Sequence, residues 1–139
     1  MQTFLPYPNF YLTATCLDYR RLGKQRVETK QILSSLFSLR TIGWKNHPAT
    51  KMWEGYEKTL CLYGIVITKE WIIRGYNDNT LPWFIASYKK IESEIKYPSW
   101  FGREDFHLSH KSNLVRKYPE HYRKYFPDVP DNLPYVWPV

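Results

Sequence analysis

Cysteine, long apolar runs and acidic residues are all scarce in this 139-residue chain. Its two cysteines, Cys16 and Cys61, lie far apart in segments with helical patterns, so they offer neither a disulfide framework nor a CxxC metal or redox motif. No stretch approaches the roughly 20 apolar residues that a membrane span needs. The start, MQTFLPYPNF, lacks the basic, apolar and small-residue regions of a signal peptide. These absences favour a soluble protein of a reducing, intracellular compartment.

The usual sequence signatures of catalysis and metal binding are also missing. The chain contains no P-loop, GxSxG, HExxH or paired-cysteine motif. His107 and His110 share a helical face, but a zinc site needs a third and a fourth ligand, and none follows at a suitable spacing. A metal site is therefore not predicted.

Positive charge is what the sequence has in excess. Twenty Lys and Arg oppose 13 Asp and Glu, which gives a formal net charge of +7 and a pI near 9.4. This balance favours a polyanionic partner such as nucleic acid, although simple solubility explains the charge equally well. Hydrophobic residues at 43% suffice for a packed core, and ten prolines indicate much irregular structure. A chain of this length is expected to form one domain.

Helical spacing of apolar residues predicts three main helices. The first covers about 16–39 and opens on a capping box, TCLD. The second covers about 48–74, with a proline suited to its first turn and Arg74-Gly75 at its end. The third covers about 104–117. The sequence therefore predicts an all-α fold, a single compact domain of three main helices joined by long irregular connections.

Other segments carry weaker signals. Residues 1–12 show no clear period and predict an irregular segment packed on the body. A weak helical stretch covers ASYKKIESEI, a short helix follows Pro119, and four prolines over 127–139 predict an extended C-terminal tail. Gly23, inside the first helix, indicates that a neighbouring element, most simply another helix, approaches the backbone closely there.

One face of the first predicted helix is dense in basic and polar side chains. Positions 20, 24 and 28 lie one above the other, with 21 and 25 beside them. The candidate residues on this helix are Arg20, Arg21, Lys24, Gln25, Arg26 and Glu28. Arginines there can bind phosphates through paired hydrogen bonds, and Gln25 can contact a base edge. The alternative is a solvated face on which Lys24 pairs with Glu28.

A second cluster, near the C-terminus, interleaves basic and aromatic residues. Its members are His107, His110, Lys111, Arg116, Lys117, Tyr118, Tyr122, Arg123, Lys124 and Tyr125. Cations can hold phosphates while rings stack on unpaired bases, so the pattern suits DNA binding. The alternative is that the tyrosines pack a helix against the tail. His47 and Tyr56, at the connection between the first two helices, are two further candidate DNA contacts.

Four stretches of the chain resemble the pyrimidine-dimer DNA glycosylases of the phage endonuclease V type. They are LGKQRVE in the first helix, the GWKNHP connection, GYEKTL leading through the long helix to RGY, and YPEHYRKYF near the C-terminus. Each motif is weak alone, but their order and spacing agree along most of the chain with a family of nearly the same length. The resemblance implies that residues 1–139 form a single endonuclease V-like helical domain.

The resemblance further implies an enzyme that bends duplex DNA, flips a nucleotide out of the stack and works without a metal or organic cofactor. Its nucleophile is the N-terminal α-amine, here that of Met1 because Gln2 is too bulky for removal of the methionine to be expected. The amine attacks the sugar C1′ to form a Schiff base, a helix-one glutamate assists, and β-elimination accounts for any AP-lyase activity. An α-amine loses its proton at a lower pH than a lysine side chain, which suits it to this attack.

The implied partner is double-stranded DNA with a damaged or modified base, the pyrimidine dimer being the family default. A monomer is expected, in the cytoplasm or nucleoid, or in the nucleus or viral factory if the source is a eukaryotic virus. Glu28 is the counterpart of the family glutamate, and we expect it to face one pocket with the Met1 amine. Around that pocket we expect Arg20, Arg21, Lys24, His47 and Tyr56.

The position of the glutamate leaves alternatives open. In the family it directly follows an arginine, whereas here the order is Arg26-Val27-Glu28. One residue is about 100° of helix rotation, so Glu28 fits only if the helix register or the N-terminus has shifted to match. A non-catalytic DNA-binding protein on the same fold is therefore the second hypothesis, and a helical protein-interaction module is the third.

Overall fold

The computed structural model describes residues 1–38 and 46–139, whose regular structure is entirely helical. The helices of this part of the chain are α1 Phe10–Cys16, α2 Tyr19–Phe37, α3 Pro48–Lys51, α4 Glu57–Ile73, α5 Leu81–Lys90, α6 Glu104–Lys117 and α7 Pro119–Tyr122. The predicted all-α class is confirmed. Of the three longest helices, α2 and α4 each lie inside a predicted range, and α6 has the predicted bounds. Within the described residues, no helix has the length and apolar character needed to cross a membrane.

The first predicted helix begins later than expected. Asp18 is the N-cap of α2 and accepts a hydrogen bond from the Arg21 amide, so the helix starts at Tyr19 rather than near 16. Leu17 has extended backbone and separates α2 from α1. The irregular N-terminal segment accordingly ends at Asn9, which caps α1. The predicted end of this helix at 39, and residues 41–45 of the connection after it, lie outside the described residues.

The second predicted helix is two helices. Gly55 has a φ of +88°, a left-handed conformation that no α-helix contains, so the chain turns between α3 and α4. The weak helical stretch is also displaced, since α5 covers Leu81–Lys90 and ends halfway through ASYKKIESEI. The Asp78 carboxylate, two residues before the N-cap Thr80, accepts from the Thr80 and Leu81 amides at 2.9 and 2.8 Å and so satisfies the free amide of the first helical residue.

Helices α2 and α4 meet at the centre of the fold. A Cβ atom at Gly23 would lie 2.7 Å from the Trp71 ring of α4, so glycine is needed where the two helices approach. Gly64 plays the same part on the other side of α4, against the Phe84 ring of α5. The close approach predicted at Gly23 is therefore confirmed, and the neighbouring element is a helix.

The cysteines belong to this packed interior. Cys16 and Cys61 are free thiols, both buried, on α1 and α4. Burial raises the pKa of each thiol to about 12. Neither sulfur is therefore a nucleophile at neutral pH.

The C-terminal tail, residues 127–139, has no helix or strand, as predicted. Ser112 Oγ accepts from the Leu133 amide at 3.0 Å, and Ser109 Oγ accepts from the Val136 amide at 3.2 Å. Because both serines lie on α6, the tail follows a defined path along that helix. This path brings Tyr135 to the cavity described next.

Candidate active site

A cavity of about 840 Å³ opens beside the N-terminal half of α2. It is lined by Met1, Gln2, Phe4, Asp18, Tyr19, Arg20, Arg21, Lys24, Gln25, Glu28, Lys117, Tyr118 and Tyr135. We call it the α2 pocket. Its volume lies in the range of ligand sites, about 300–1,000 Å³. The N-terminus, the polar face of α2, the end of α6 and the tail all contribute to its walls.

The wall of the α2 pocket carries four cations. Arg20, Arg21 and Lys24 come from α2, and Lys117 comes from the last turn of α6. Burial, followed by the charges of Arg21 and other cations, lowers the pKa of Lys117, and Glu28 acts in the opposite direction. These groups therefore lie within electrostatic reach of one another, which makes the pocket wall suited to an anionic ligand.

The predicted alternative, a Lys24–Glu28 ion pair, is not what the described residues form. Their ion pairs join Arg21 to Asp18 and, elsewhere, link Arg26–Asp78, Arg74–Glu70 and Arg103–Asp105. Burial opposes ionisation of Asp18, but hydrogen bonds from Tyr122 and Arg21 outweigh it and hold the pKa of this carboxyl below its usual value. Lys24 is exposed at the pocket. Glu28 is thus not tied up by the lysine one turn before it.

Gln25 joins the N-terminal segment to α2. Its side chain is buried, with Oε1 accepting from the Phe4 amide at 3.1 Å and Nε2 donating to the Gln2 carbonyl at 2.9 Å. Nε2 also donates to Glu28 Oε2 at 3.2 Å, and the Tyr63 hydroxyl lies 2.8 Å from Oε1. Because these partners all belong to the protein itself, we assign Gln25 the role of holding the first residues in place. The contact with a base edge that the sequence suggested is not assigned to it.

His107 and His110 both bind Leu5, the residue after Phe4 in the N-terminal segment. His107 Nε2 accepts from the Gly102 amide at 2.9 Å, so its Nδ1 carries the proton and donates to the Leu5 carbonyl at 2.7 Å. His110 Nδ1 accepts from the Leu5 amide at 2.9 Å. Burial lowers the pKa of both rings, that of His110 to about 3. These neutral, buried histidines are therefore not the DNA contacts that the sequence suggested.

The N-terminus and Glu28 lie together in the α2 pocket. The Gln2 amide donates to Glu28 Oε2 at 3.3 Å, which leaves the Met1 amine one residue from the carboxylate. His47 is nearby, since burial and then the positive N-terminal amine lower its pKa, while Glu28 opposes the shift. Its Nδ1 accepts from the Ala49 amide at 3.0 Å and caps α3.

Three further predicted DNA contacts are engaged elsewhere. The Arg26 guanidinium pairs with Asp78 and lies 4.5 Å from the centre of the Trp71 ring, on the side of α2 away from the pocket. Lys111 places its ammonium 5.4 Å from the Tyr7 ring. Tyr56 precedes α4, packs partly buried against the hydrophobic core and is not among the pocket residues. We therefore assign these side chains to the fold.

The structure contradicts the expectation that Tyr122 stacks on DNA. Its ring is fully buried, and its hydroxyl donates to the Asp18 carboxylate and accepts from the Asp18 amide at 3.0 Å. Arg123 donates to the carbonyl oxygens of Phe126, Pro127 and Val129, so it closes the turn after α7. Lys124 is exposed but does not line the α2 pocket. Tyr122 is therefore a packing residue, but its hydroxyl is bound by Asp18 at the start of α2 and not by the tail.

Five residues of the pocket were not among the predicted site residues: Gln2, Phe4, Asp18, Tyr19 and Tyr135. Tyr19 directly precedes the basic cluster, and its place at the first turn of α2 was a usable signal. Tyr135 reaches the pocket only through the path of the tail along α6, for which the sequence carries no local signal. Tyr118 was noted in the C-terminal cluster, and the structure places it, unlike Tyr122, at the pocket.

Comparison with known proteins identifies one family. A family model described as pyrimidine dimer DNA glycosylase matches residues 1–82, more than half of the chain. The matched part contains the N-terminus and all of α2, whereas Lys117, Tyr118 and Tyr135 lie beyond it. No curated protein and no solved structure matches the chain.

Proposed function

Since the chain belongs to the pyrimidine dimer DNA glycosylase family, we propose that it breaks the glycosidic bond of a damaged pyrimidine in double-stranded DNA, with the Met1 amine as nucleophile and Glu28 as the assisting carboxylate. The observation that carries this assignment is the 3.3 Å hydrogen bond from the Gln2 amide to Glu28 Oε2, beside a cationic pocket wall. The carboxylate is thereby held one residue from the amine, next to cations that can bind phosphate. The protein acts as a monomer in this proposal, and groups of the chain itself supply every step.

In the proposed reaction, the amine attacks C1′ of a nucleotide that has left the helix. The N–C1′ bond forms while the bond from C1′ to the base breaks, and the base leaves with that electron pair and takes up a proton. Loss of a proton from the nitrogen and opening of the sugar ring then give the Schiff base. Glu28 stabilises the cationic sugar and moves protons.

Strand cleavage is a second stage of the same proposal. The Schiff base makes a C2′ proton acidic, and its removal allows the C3′–O bond to break with the phosphate as leaving group. We assign the acceptance of that proton to Glu28, a carboxylate that lines the pocket. Hydrolysis of the Schiff base by water then returns the free amine.

The order Arg26-Val27-Glu28 is compatible with this role. Arg21 and Lys24 precede Glu28 by seven and four positions, so all three share one face of α2 and line the pocket. Arg26 points to Asp78 instead. The cations that accompany the carboxylate are therefore Lys24 one turn earlier and Arg21 two turns earlier, and the register relative to Arg26 does not decide its position.

The N-terminal segment is held firmly enough to present its amine. Residues 2–5 are buried and bonded to side chains of α2, α4 and α6. A nucleophile at a freely moving terminus loses conformational entropy when it is positioned at C1′. An amine next to a fixed segment has already lost most of that entropy on folding, so the reaction costs less.

Arg20→Ala and Arg21→Ala are expected to weaken binding to duplex DNA and to flatten its salt dependence. Each lost phosphate contact removes about 0.9 from the slope of log K against log salt concentration. Fluorescence anisotropy of a labelled duplex over a KCl series measures both quantities. Arg26→Ala is the matched control, because Arg26 pairs with Asp78 outside the pocket, and its slope should stay at the wild-type value. If all three variants kept the wild-type slope, the DNA would not contact the α2 pocket through these arginines.

The wild-type protein is expected to release the base from its sugar, that is, to break the glycosidic bond at C1′, in a duplex that contains one cyclobutane pyrimidine dimer. The cyclobutane ring still joins that base to its neighbour, so base release is measured as cleavage of the glycosidic bond and not as free base. Borohydride reduction during the reaction should leave a covalent protein–DNA adduct, because it converts a Schiff base into a stable amine. The same duplex without the dimer is the control. Binding to the dimer duplex without base release or adduct would contradict the enzymatic proposal and support the non-catalytic DNA-binding hypothesis.

A further inference from the structure

Two exposed tyrosines stand at the rim of the α2 pocket, each with another ring behind it. Tyr19 is 49% exposed and Tyr118 is 41% exposed, although both are aromatic residues that line a cavity. Tyr76 is stacked on Tyr19, with ring centres 6.1 Å apart and an angle of 22°, and Trp71 continues the stack at 4.3 Å. His121 is stacked on Tyr118 at 5.7 Å and 25°. Each rim tyrosine is therefore supported from one side and open on another.

Arg20 lies beside Tyr19 and lines the same pocket as Tyr118. Its Nε donates to the Tyr19 hydroxyl at 3.0 Å, and its guanidinium carbon lies 5.7 Å from the centre of that ring. The hydrogen bond to Tyr19 and the charge of its hydroxyl raise the pKa of Arg20, and Tyr118 adds to the shift. Both rings thus lie near one cation of the pocket wall, a group that can bind phosphate.

This combination of rings and cations is typical of surfaces that bind unpaired bases. Every base offers a flat face that stacks on an aromatic ring, while neighbouring cations hold the backbone. A protein partner would explain the exposed rings but not the four surrounding cations, Arg20, Arg21, Lys24 and Lys117. Because the backing rings limit rotation of each tyrosine, little side-chain freedom is left to lose on binding.

We propose that Tyr19 and Tyr118 are stacking platforms that hold unpaired nucleobases of the damaged duplex at the rim of the α2 pocket. The inference rests on the proposed function, since bases become unpaired when the target nucleotide leaves the helix. The ligand is an unpaired base from either the damaged strand or the strand opposite. Tyr118 lies outside the matched residues 1–82, so the second half of the chain contributes to substrate recognition.

The test compares single-ring variants on four duplexes. One duplex is intact, one carries a tetrahydrofuran abasic analogue at the target position, one carries it at the opposite position, and one carries it at both. Tyr19→Ala and Tyr118→Ala should each lose about tenfold in affinity on a duplex that offers the base they hold. That loss should disappear on the duplex from which this base has been removed, which identifies the strand.

Two further variants separate stacking from folding. Tyr118→Phe keeps the ring and should bind as the wild type does, whereas a structural defect of Tyr118→Ala would show in circular dichroism. Tyr125→Ala is the matched control, because Tyr125 is 44% exposed and also contacts His121 but does not line the pocket. Its affinity should change by less than about twofold.

If Tyr19→Ala and Tyr118→Ala lost the same affinity on all four duplexes, or lost none on any, the proposal of stacking platforms would be wrong. Base release by the wild type on dimer DNA reports on the proposed function separately. If the wild type releases the base but the variants bind all duplexes alike, only the platforms fail. If the wild type releases no base but the variants still lose affinity in a way that depends on the unpaired base, the stacking proposal holds and the glycosylase proposal fails.

Discussion

Glu28→Gln is expected to abolish base release while DNA binding stays as tight as in the wild type, or becomes tighter. The amide can neither stabilise a cationic sugar nor exchange protons with it, so the rate should fall by at least about a hundredfold. Binding persists because a negative charge facing phosphate has been removed. The glutamine also keeps an oxygen that can accept from the Gln2 amide, so the N-terminal segment should stay in place.

Single-turnover release from dimer DNA and anisotropy on the same duplex measure the two effects of Glu28→Gln. Glu120→Gln is the matched control, since Glu120 is an exposed carboxylate of α7 that does not line the pocket. It should behave as the wild type in both assays. A Glu28→Gln protein that releases the base at the wild-type rate would remove the carboxylate from the mechanism.

Acetylation of the Met1 amine is expected to prevent both base release and the borohydride adduct. The acetylated nitrogen has no electron pair free to attack C1′, so no Schiff base can form. The fold should be unaffected, because the bonds that hold the segment start at the Gln2 amide. Mass spectrometry of the reduced, digested complex should place the adduct of the unmodified protein on the N-terminal peptide.

The pocket offers two other amines, which supply the controls for acetylation. Lys24 and Lys117 both line the α2 pocket. At saturating DNA, Lys24→Ala and Lys117→Ala should still form the adduct, even where their affinity for DNA is reduced. An adduct that survives acetylation and is lost in Lys24→Ala would make that lysine the nucleophile.

The stacking of a base on Tyr122 was the sequence interpretation that failed most clearly. Tyr118, Tyr122 and Tyr125 look alike in the sequence, as tyrosines among basic residues. Spacing on one helical turn cannot tell which ring meets a core, and here Tyr122 meets Asp18, far away in the sequence. The same reason applies to His107 and His110, whose partner is Leu5 at the other end of the chain.

The sequence alone determined the local features of this protein. The all-α class, the range of α6 and the polar face of α2 all follow from periodicity, because one helical turn fixes which side chains share a face. Gly23 likewise predicted the close approach of another helix. Only the tertiary structure decided which predicted cations remain at a pocket, since Arg20 and Arg21 line it while Arg26 is bound by Asp78 from a distant loop. Such long-range pairings depend on how connections and tail run over the helices, and no local pattern records that path.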